Sequence, residues 1–527
     1  MLHFSESPIR RALNLYLQTS ALATSYKPSK TTFSTLQPYP KMLATAIFSG
    51  ALAGLLWLLL TPFRTGLRSI PGPWFRQFTE LFQVYDAYKG RTGQATQSLH
   101  RKYGPVVQIG HRTVSFSDPA MIDVVYSYRN ALPKGKDWAA MNHELDGKTI
   151  PSIINALDAK THTAIKRPIA GVFSMSNVTK SEVFINSSIK DLVRQFDQQF
   201  NGENRGKSFS ISGWMHSFSY DCVMKLTLSS DLGLMRGESD HAAMFKGVDT
   251  AQTFLAMALV MPELRTILRN TPLFKIFLAR QGSFARVARE TIQTRTDNGG
   301  YTTAETADLM SAFVEAQKKH PDVVSDLVLN GYVTLPIYAG SNSVAVGLTS
   351  ILYLLGKHPR IQEKLHKSLV ESGLPMPPPW SQISKLTYLE AVIRECFRYH
   401  PATALLSRRI VPSGPGLTLP DGRVLPPGTT VAVNGCVTHF HKETYGDDVH
   451  CFRPERWLRD DNESEAAYTH RLQKMHKADL TFGHGEWIEL ADPAKEWEVR
   501  ETILRKQVGV DAKLSFRPGR SLGDLAL

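Results

Sequence analysis

The feature that most constrains this chain is an apolar run near its start. Residues 42–63 read MLATAIFSGALAGLLWLLLTPF and contain no charged side chain. A helix of that length crosses a hydrocarbon core of ~30 Å. Arg64, Arg68 and Arg76 follow the run, so the positive-inside rule places the rest of the chain on the cytoplasmic side. A cleaved signal peptide is the alternative, but the run is long and no small-residue cleavage site follows it. We therefore expect a retained transmembrane anchor at 42–63.

Residues 1–41 precede the anchor and allow two interpretations. They are rich in Ser and Thr, and Glu6 is their single acid, a composition that resembles a mitochondrial presequence. Alternatively, Met42 is the true start of the protein, which we prefer because Met42 opens directly onto the apolar run. After the anchor, the prolines of 64–75 predict a stiff linker.

The remaining residues, 76–527, predict one large domain that is mainly α with a smaller β part. A pattern at 325–355 is apolar on every side, which indicates a helix buried in a large core. A shorter apolar run at 253–260 predicts a lesser helix. Short strand patterns follow at 402–437, among them a hairpin at 417–425 with its turn at Pro420-Asp421-Gly422.

Composition narrows the class of protein further. The four cysteines form no CxxC pair, which argues against a zinc site or a disulfide framework and favours isolated thiols in a reducing compartment. The formal charge of +13 comes from scattered Lys and Arg without a nucleic-acid motif. We expect a membrane surface or an acidic protein partner, and no nucleic acid.

Three motifs carry the functional interpretation. Thr387 and Glu390 form a capping-box pattern at the start of a helix that Pro401 should end. On that helix Glu395 and Arg398 are neighbours three residues apart. Upstream stands Ala339-Gly340-Ser341-Asn342-Ser343 within the long apolar helix, and downstream stands Phe452-Arg453-Pro454-Glu455-Arg456-Trp457.

In this order, from residue 42 onward, the motifs resemble those of eukaryotic cytochromes P450, most closely the fungal secondary-metabolism branch. The resemblance implies the cytochrome P450 fold and a haem-thiolate monooxygenase that oxidises, typically hydroxylates, a lipophilic small molecule. It implies haem as the cofactor and electrons from NADPH through a flavoprotein reductase. The implied location is the endoplasmic reticulum membrane, with a mitochondrial location as the alternative offered by the leader.

The same resemblance assigns roles to individual residues. Ala339 and Gly340 would leave room for oxygen, and the hydroxyl of Ser343 would help to deliver protons. Asn342 replaces the family's acid, and an amide cannot relay a proton as a carboxylate does. A Ser/Asn pair that caps or kinks the helix is the competing interpretation.

Further residues are implied as cofactor ligands or as structural supports. His162, Lys166 and Arg409 would bind the haem propionates, with the adjacent Arg408 as a substitute for Arg409. Phe482 and Gly485 would shape the haem-binding loop. A buried charge network of Glu395, Arg398 and Arg456 would be structural, since loss of one member leaves a buried charge unpaired.

The resemblance fails at the metal ligand. Phe482-Gly483-His484-Gly485 begins the haem loop. The position where the family has its cysteine is Glu489 in this chain, and the position two residues later, where the family has a glycine, is Ala491. No cysteine follows Cys451. Neither a carboxylate at Glu489 nor an imidazole at His484 would supply the electron donation of a thiolate. We therefore expect no metal ligand in this chain.

The tail at 489–514 resembles the family's closing strands, which normally follow a long helix after the cysteine. This suggests that roughly two dozen residues, a loop plus a helix, are missing after 485. A coding segment treated as an intron, or a splice variant, would explain the loss. The alternative function is a catalytically inactive, haem-less P450-like membrane protein.

Overall fold

The computed structural model describes residues 39–127, 132–200, 207–230, 232–237, 241–268, 271, 289–294, 308–403, 407–483 and 511–513. Helices dominate this part of the chain, which confirms the mainly α class with a smaller β part. The α-helices are α1 (Tyr39–Arg64), α2 (Leu81–Tyr88), α3 (Thr92–Tyr103), α4 (Ala120–Tyr126), α5 (Ala159–Lys166), α6 (Met175–Val178), α7 (Glu182–Phe200), α8 (Ile211–Leu228), α9 (His241–Val260), α10 (Pro262–Leu268), α11 (Leu309–Lys319), α12 (Asp326–Lys357), α13 (Pro359–Glu371), α14 (Trp380–Ile383), α15 (Thr387–Tyr399), α16 (Gly435–Thr438), α17 (Lys442–Tyr445) and α18 (Glu465–Ala478).

The strands are short and form small sheets. They are β1 (Val106–Gln108), β2 (Thr113–Phe116), β3 (His143–Leu145), β4 (Lys148–Ile150), β5 (Ser208–Ser210), β6 (Arg409–Ile410), β7 (Leu417–Thr418), β8 (Val424–Leu425), β9 (Thr430–Val433) and β10 (Asp511–Lys513). The largest sheet has the order β1-β2-β9-β6, in which β2 and β9 are parallel and the other neighbours are antiparallel. The predicted hairpin is confirmed, because Leu417 pairs with Leu425 across β7 and β8.

Helix α12 is the 32-residue centre of the helical core. The Ser325 hydroxyl caps its first turn by accepting from the Val328 amide, and the helix ends just before Pro359. Ile337 and Tyr332 of α12 pack with Tyr220 of α8 in one large apolar cluster. The buried core helix predicted at 325–355 is therefore confirmed. Among the described residues, α12 is the one helix that is long and apolar enough to cross a membrane, and half of its most apolar stretch is buried in the domain.

Helix α15 corrects one prediction and confirms another. The helix is present, but Thr387 is its first helical residue and Leu386 occupies the cap position without a side-chain bond. The capping box was therefore wrong. Its Glu390 instead binds Arg394, which lies one turn further along. The helix ends at Tyr399, two residues before Pro401.

The apolar run at 42–63 lies within α1. Where side chains of this helix are described, the large apolar ones are exposed, including Phe48, Leu52 and Trp57. Arg64, the last residue of the helix, is a cation at its C-terminal end, where the helix dipole favours positive charge.

Candidate active site

Two adjacent residues of α8 bind two adjacent residues of α12. The Ser219 hydroxyl donates to the carbonyl oxygen of Ser341 at 2.6 Å. The Asn342 amide nitrogen donates to the Tyr220 hydroxyl oxygen at 2.8 Å. All four residues are buried, and burial raises the pKa of the Tyr220 hydroxyl, so Tyr220 stays neutral. Asn342 is thus placed in a neutral pair against α8.

Within this segment, Gly340 faces α8. A side chain added at Gly340 would meet Val223 of α8 at 3.6 Å. The Ser343 hydroxyl donates to the carbonyl oxygen of Gly340 at 3.2 Å, within its own helix. Ala339 and Gly340 are half-buried. Of the residues predicted here, Ser343 therefore hydrogen-bonds to Gly340, whereas the Asn342 side chain hydrogen-bonds to Tyr220 of α8.

A cavity lies along the preceding turns of α12. Its walls are largely apolar, and the residues that line it are Met141, Ile150, Ser152, Ile154, Gly331, Thr334, Leu335 and Tyr338. Tyr338 and Leu335 reach it from α12, while the other apolar members come from the β3–β4 region and the loop after it. The cavity encloses about 30 Å³, which is room for one or two water molecules and not for a substrate.

The structure brings Glu395, Arg398 and Arg456 together in the buried core. The Arg398 guanidinium donates two bonds to the Glu395 carboxylate, both at 2.8 Å. Arg456 approaches the same carboxylate at 3.4 Å, and the Trp457 indole donates to it at 3.0 Å. Arg398 also donates to the Val449 carbonyl at 2.8 Å. The bidentate geometry and the full set of partners are what a buried charge requires.

Arg409 lies in a second cluster of cations. Its guanidinium stacks on Tyr126 at 5.2 Å, and strand pairing sets it opposite Lys134. Burial, and then the charge of Arg409, lower the pKa of Lys134 to about 8. Burial also lowers the pKa of Arg409 and raises that of the neighbouring Asp137. Two cations therefore lie close together with Asp137 as the neighbouring acid, an arrangement that could bind an anionic group.

Lys134 connects this cluster to the predicted residues on α5. Its ammonium donates to the carbonyls of Ile154 at 3.0 Å and Ala156 at 3.1 Å, in the loop before α5. His162 and Lys166 lie one turn apart on α5, and both are half-buried.

Arg408 is engaged elsewhere. It is buried and donates to the Val260 carbonyl at 3.1 Å and to the Gln83 side chain at 2.9 Å. Arg409 is therefore the better placed of the two for an anion.

Phe482 lies beside Phe397 of α15, which in turn packs against α12. Its ring is 5.8 Å from that of Phe397, and the Phe397 ring lies 3.1 Å from where a side chain at Gly347 would begin. Phe482 itself is 53% exposed. The remaining loop positions, His484, Gly485, Glu489 and Ala491, lie outside the described residues.

Comparison with known proteins supplies the family. The model of the cytochrome P450 family matches residues 70–486. The chain belongs to the cytochrome P450 family. By family, it is a haem-thiolate monooxygenase, and the resemblance inferred from the motifs is confirmed.

Its relatives are fungal. A cytochrome P450 monooxygenase of Aspergillus candidus is 30% identical over 526 residues, covering 94% of this chain and 96% of the relative. Another from Penicillium aethiopicum is 29% identical over 509 residues, covering 90% and 94% of the two chains. A third, from Emericella nidulans, is 31% identical over 443 residues, with 82% and 84% covered.

The residues of this P450 fit one part of haem but not another. Lys134 and Arg409 could hold its carboxylates. The iron, however, needs a thiolate, and no cysteine follows Cys451. Cys222 and Cys396 are buried in helices, and burial raises the pKa of both thiols, which disfavours the thiolate form. The chain as its sequence stands does not fit a thiolate-ligated haem.

Sequence reasoning missed Lys134, Ser219 and Tyr220. Lys134 is a single lysine after a proline, and only its pairing opposite Arg409 reveals a role. Ser219 and Tyr220 sit in a helix with polar and apolar residues on all sides, so nothing in their spacing points to α12.

Proposed function

We propose that the gene encodes a membrane-anchored cytochrome P450 that hydroxylates a lipophilic small molecule in the biosynthesis of a fungal secondary metabolite. Haem would activate oxygen, and NADPH would supply electrons through a flavoprotein reductase. The observation that carries this proposal is the match of the cytochrome P450 family model to residues 70–486, together with fungal P450 monooxygenases that align over most of the chain.

The cavity beside α12 is too small to hold a substrate, but its lining is uncharged. Its polar members are Ser152 and Thr334, and Tyr338 contributes a hydroxyl whose pKa is raised by burial. Next to the segment from Ala339 to Ser343, such a wall favours a neutral substrate, because a charged one would lose hydration without gaining an ionic partner.

The outward-facing apolar side chains of α1 support the anchor. Phe48, Leu52 and Trp57 would lie in lipid, and Arg64 with Arg68 would remain at the cytoplasmic surface. We propose the endoplasmic reticulum as the location, with 64–75 as a linker and 76–527 as the oxidising domain.

Gene deletion followed by metabolite profiling tests this function. The deletion strain should lose an oxygenated metabolite and accumulate a less polar precursor that differs by one oxygen atom. A reintroduced genomic copy with its introns should restore the product, and a genomic copy with Glu395→Gln should not. Unchanged profiles in the deletion strain would contradict the proposal.

The absent cysteine favours a second candidate, a haem-less P450-like membrane protein. It makes a different prediction for the reintroduced gene. An intronless copy that encodes this sequence should then restore the deletion phenotype as well as the genomic copy does. If only the genomic copy restores it, the second candidate fails.

A further inference from the structure

The core helix α12 carries an apolar stripe that the described residues cover only in part. Val344 is 45% exposed, Leu352 is 42% exposed and Leu348, midway between them, is half-buried. Their spacing of four residues puts them on one face. The residues that alternate with them, including Ala345, Val346 and Thr349, are buried. An exposed apolar face in the middle of a core helix indicates a missing neighbour.

The chain departs from the family pattern next to this apolar stripe. Phe482 contacts Phe397, and Phe397 packs against Gly347, which lies between Val344 and Leu348 on α12. The family match ends at residue 486, four residues after Phe482. The end of the family match near Phe482 is therefore close in space to the exposed apolar stripe of α12.

Part of the chain after residue 486, where the family match ends, still pairs with a described strand. Strand β10 pairs antiparallel with β5, with Asp511 opposite Ser210 and Lys513 opposite Ser208. This pairing returns residues 511–513 to the described domain, which fits an internal loss better than a terminal one.

The length of the loss can be gauged from the Aspergillus candidus relative. The alignment spans 526 positions, and 94% of the 527 residues is about 495, so about thirty positions of the relative have no counterpart here. This total includes every gap in the alignment, so it sets the upper limit on the length of a single missing segment. The apolar stripe runs over the nine residues 344–352, whose eight steps of ~1.5 Å make ~12 Å of helix. A helix of ~15 residues with a preceding loop covers that distance and fits within the missing length.

We infer that this sequence lacks one internal segment after Gly485, made of the loop that carries the haem-ligating cysteine and a helix that seats on the apolar stripe of α12. The polypeptide as written does not bind haem through a thiolate, and a longer transcript encodes the enzyme. This inference rests on the proposed function only in that the longer form is the active one.

Three purified full-length proteins test the inference: the chain as written, the chain with the corresponding segment of the Aspergillus candidus relative inserted after Gly485, and the same insertion with its cysteine replaced by alanine. The ferrous carbon monoxide spectrum should show thiolate ligation in the second protein alone. Hydrogen exchange needs no haem, and it should slow at residues 344–352 in both inserted proteins. A thiolate spectrum from the chain as written would overturn the inference.

A variant in the apolar stripe separates seating of the helix from general stabilisation. In the inserted proteins, Leu352→Glu should abolish the slowing of exchange, because a charge would face the new helix. Val424→Glu, at another exposed apolar position, should leave it unchanged. Equal exchange at 344–352 with and without the segment would mean that another partner covers the apolar stripe, which would contradict the inference.

Sequencing of transcripts across the codon for Gly485 is independent of protein folding. A longer, cysteine-encoding transcript is expected, and its absence would overturn the inference. If that transcript exists but gene deletion leaves the metabolites unchanged, the proposed function fails and the inference stands.

Discussion

Among single residues, Lys134 gives a clear expectation for how stability depends on pH. Burial, and then the charge of Arg409, lower its pKa from 10.5 to about 8. Between pH 8 and 10.5 the unfolded chain binds more protons, so stability should rise with pH across that window. Lys134→Gln should flatten the rise, whereas Lys148→Gln, at an exposed position, should not. Urea unfolding at several pH values checks this. Parallel profiles for Lys134→Gln and the unsubstituted chain would contradict it.

The buried carboxylate of Glu395 allows a matched comparison on one helix. Glu395→Gln removes the charge that compensates Arg398 and Arg456, and loss of a buried partner costs about 3–5 kcal/mol. Glu390→Gln removes the half-exposed pair with Arg394, which is worth about 0.2–1 kcal/mol. Urea midpoints for the two variants should differ accordingly. Equal losses would mean that the buried network contributes no more than a surface pair.

These two sites show what sequence reveals about residues. The spacing of Glu395 and Arg398 makes them helical neighbours, and the family resemblance supplied Arg456. Lys134 could not be found this way, because its partner Arg409 lies on a distant strand. Local spacing predicts contacts within an element, whereas contacts between elements depend on register.

At the scale of elements, the contact between α8 and α12 is fixed by a neutral pair. Asn342 donates to Tyr220, and both are buried. Asn342→Asp would bury a carboxyl group, whose pKa burial raises above that in the unfolded chain. The folded state then binds more protons, so stability should fall as pH rises from about 4 through the raised pKa.

Thermal unfolding at pH 5 and pH 8 checks this expectation for Asn342→Asp. Tyr220→Phe removes the same hydrogen bond without adding a titratable group, so its loss of stability should be the same at both pH values. If Asn342→Asp matched Tyr220→Phe at both, the carboxyl group would be hydrated and the site would not be buried.

The elements also show where sequence patterns succeed. The long apolar pattern predicted α12, because a core helix that is apolar around most of its circumference needs no amphipathic period. The Thr387–Glu390 capping box failed, since Leu386 takes the cap position and Glu390 binds Arg394 instead. Glu390 had two possible partners, the backbone at the start of the helix and Arg394. Tertiary packing determines which of them it binds, and a four-residue motif carries no information about that packing.

At the scale of the whole molecule, the two interpretations of the leader predict different locations. If Met42 is the true start, removing residues 1–41 should leave the protein in the endoplasmic reticulum, held by α1. If 1–41 is a presequence, the full chain should reach mitochondria, and the shortened chain should move to the endoplasmic reticulum. Fluorescent fusions at the C-terminus distinguish these outcomes.

Removing residues 1–63 is the matched control, because it also deletes the exposed apolar side chains of α1. That form should be extracted from membranes by alkaline carbonate, whereas a chain that stays in the pellet would show that α1 is not what anchors it.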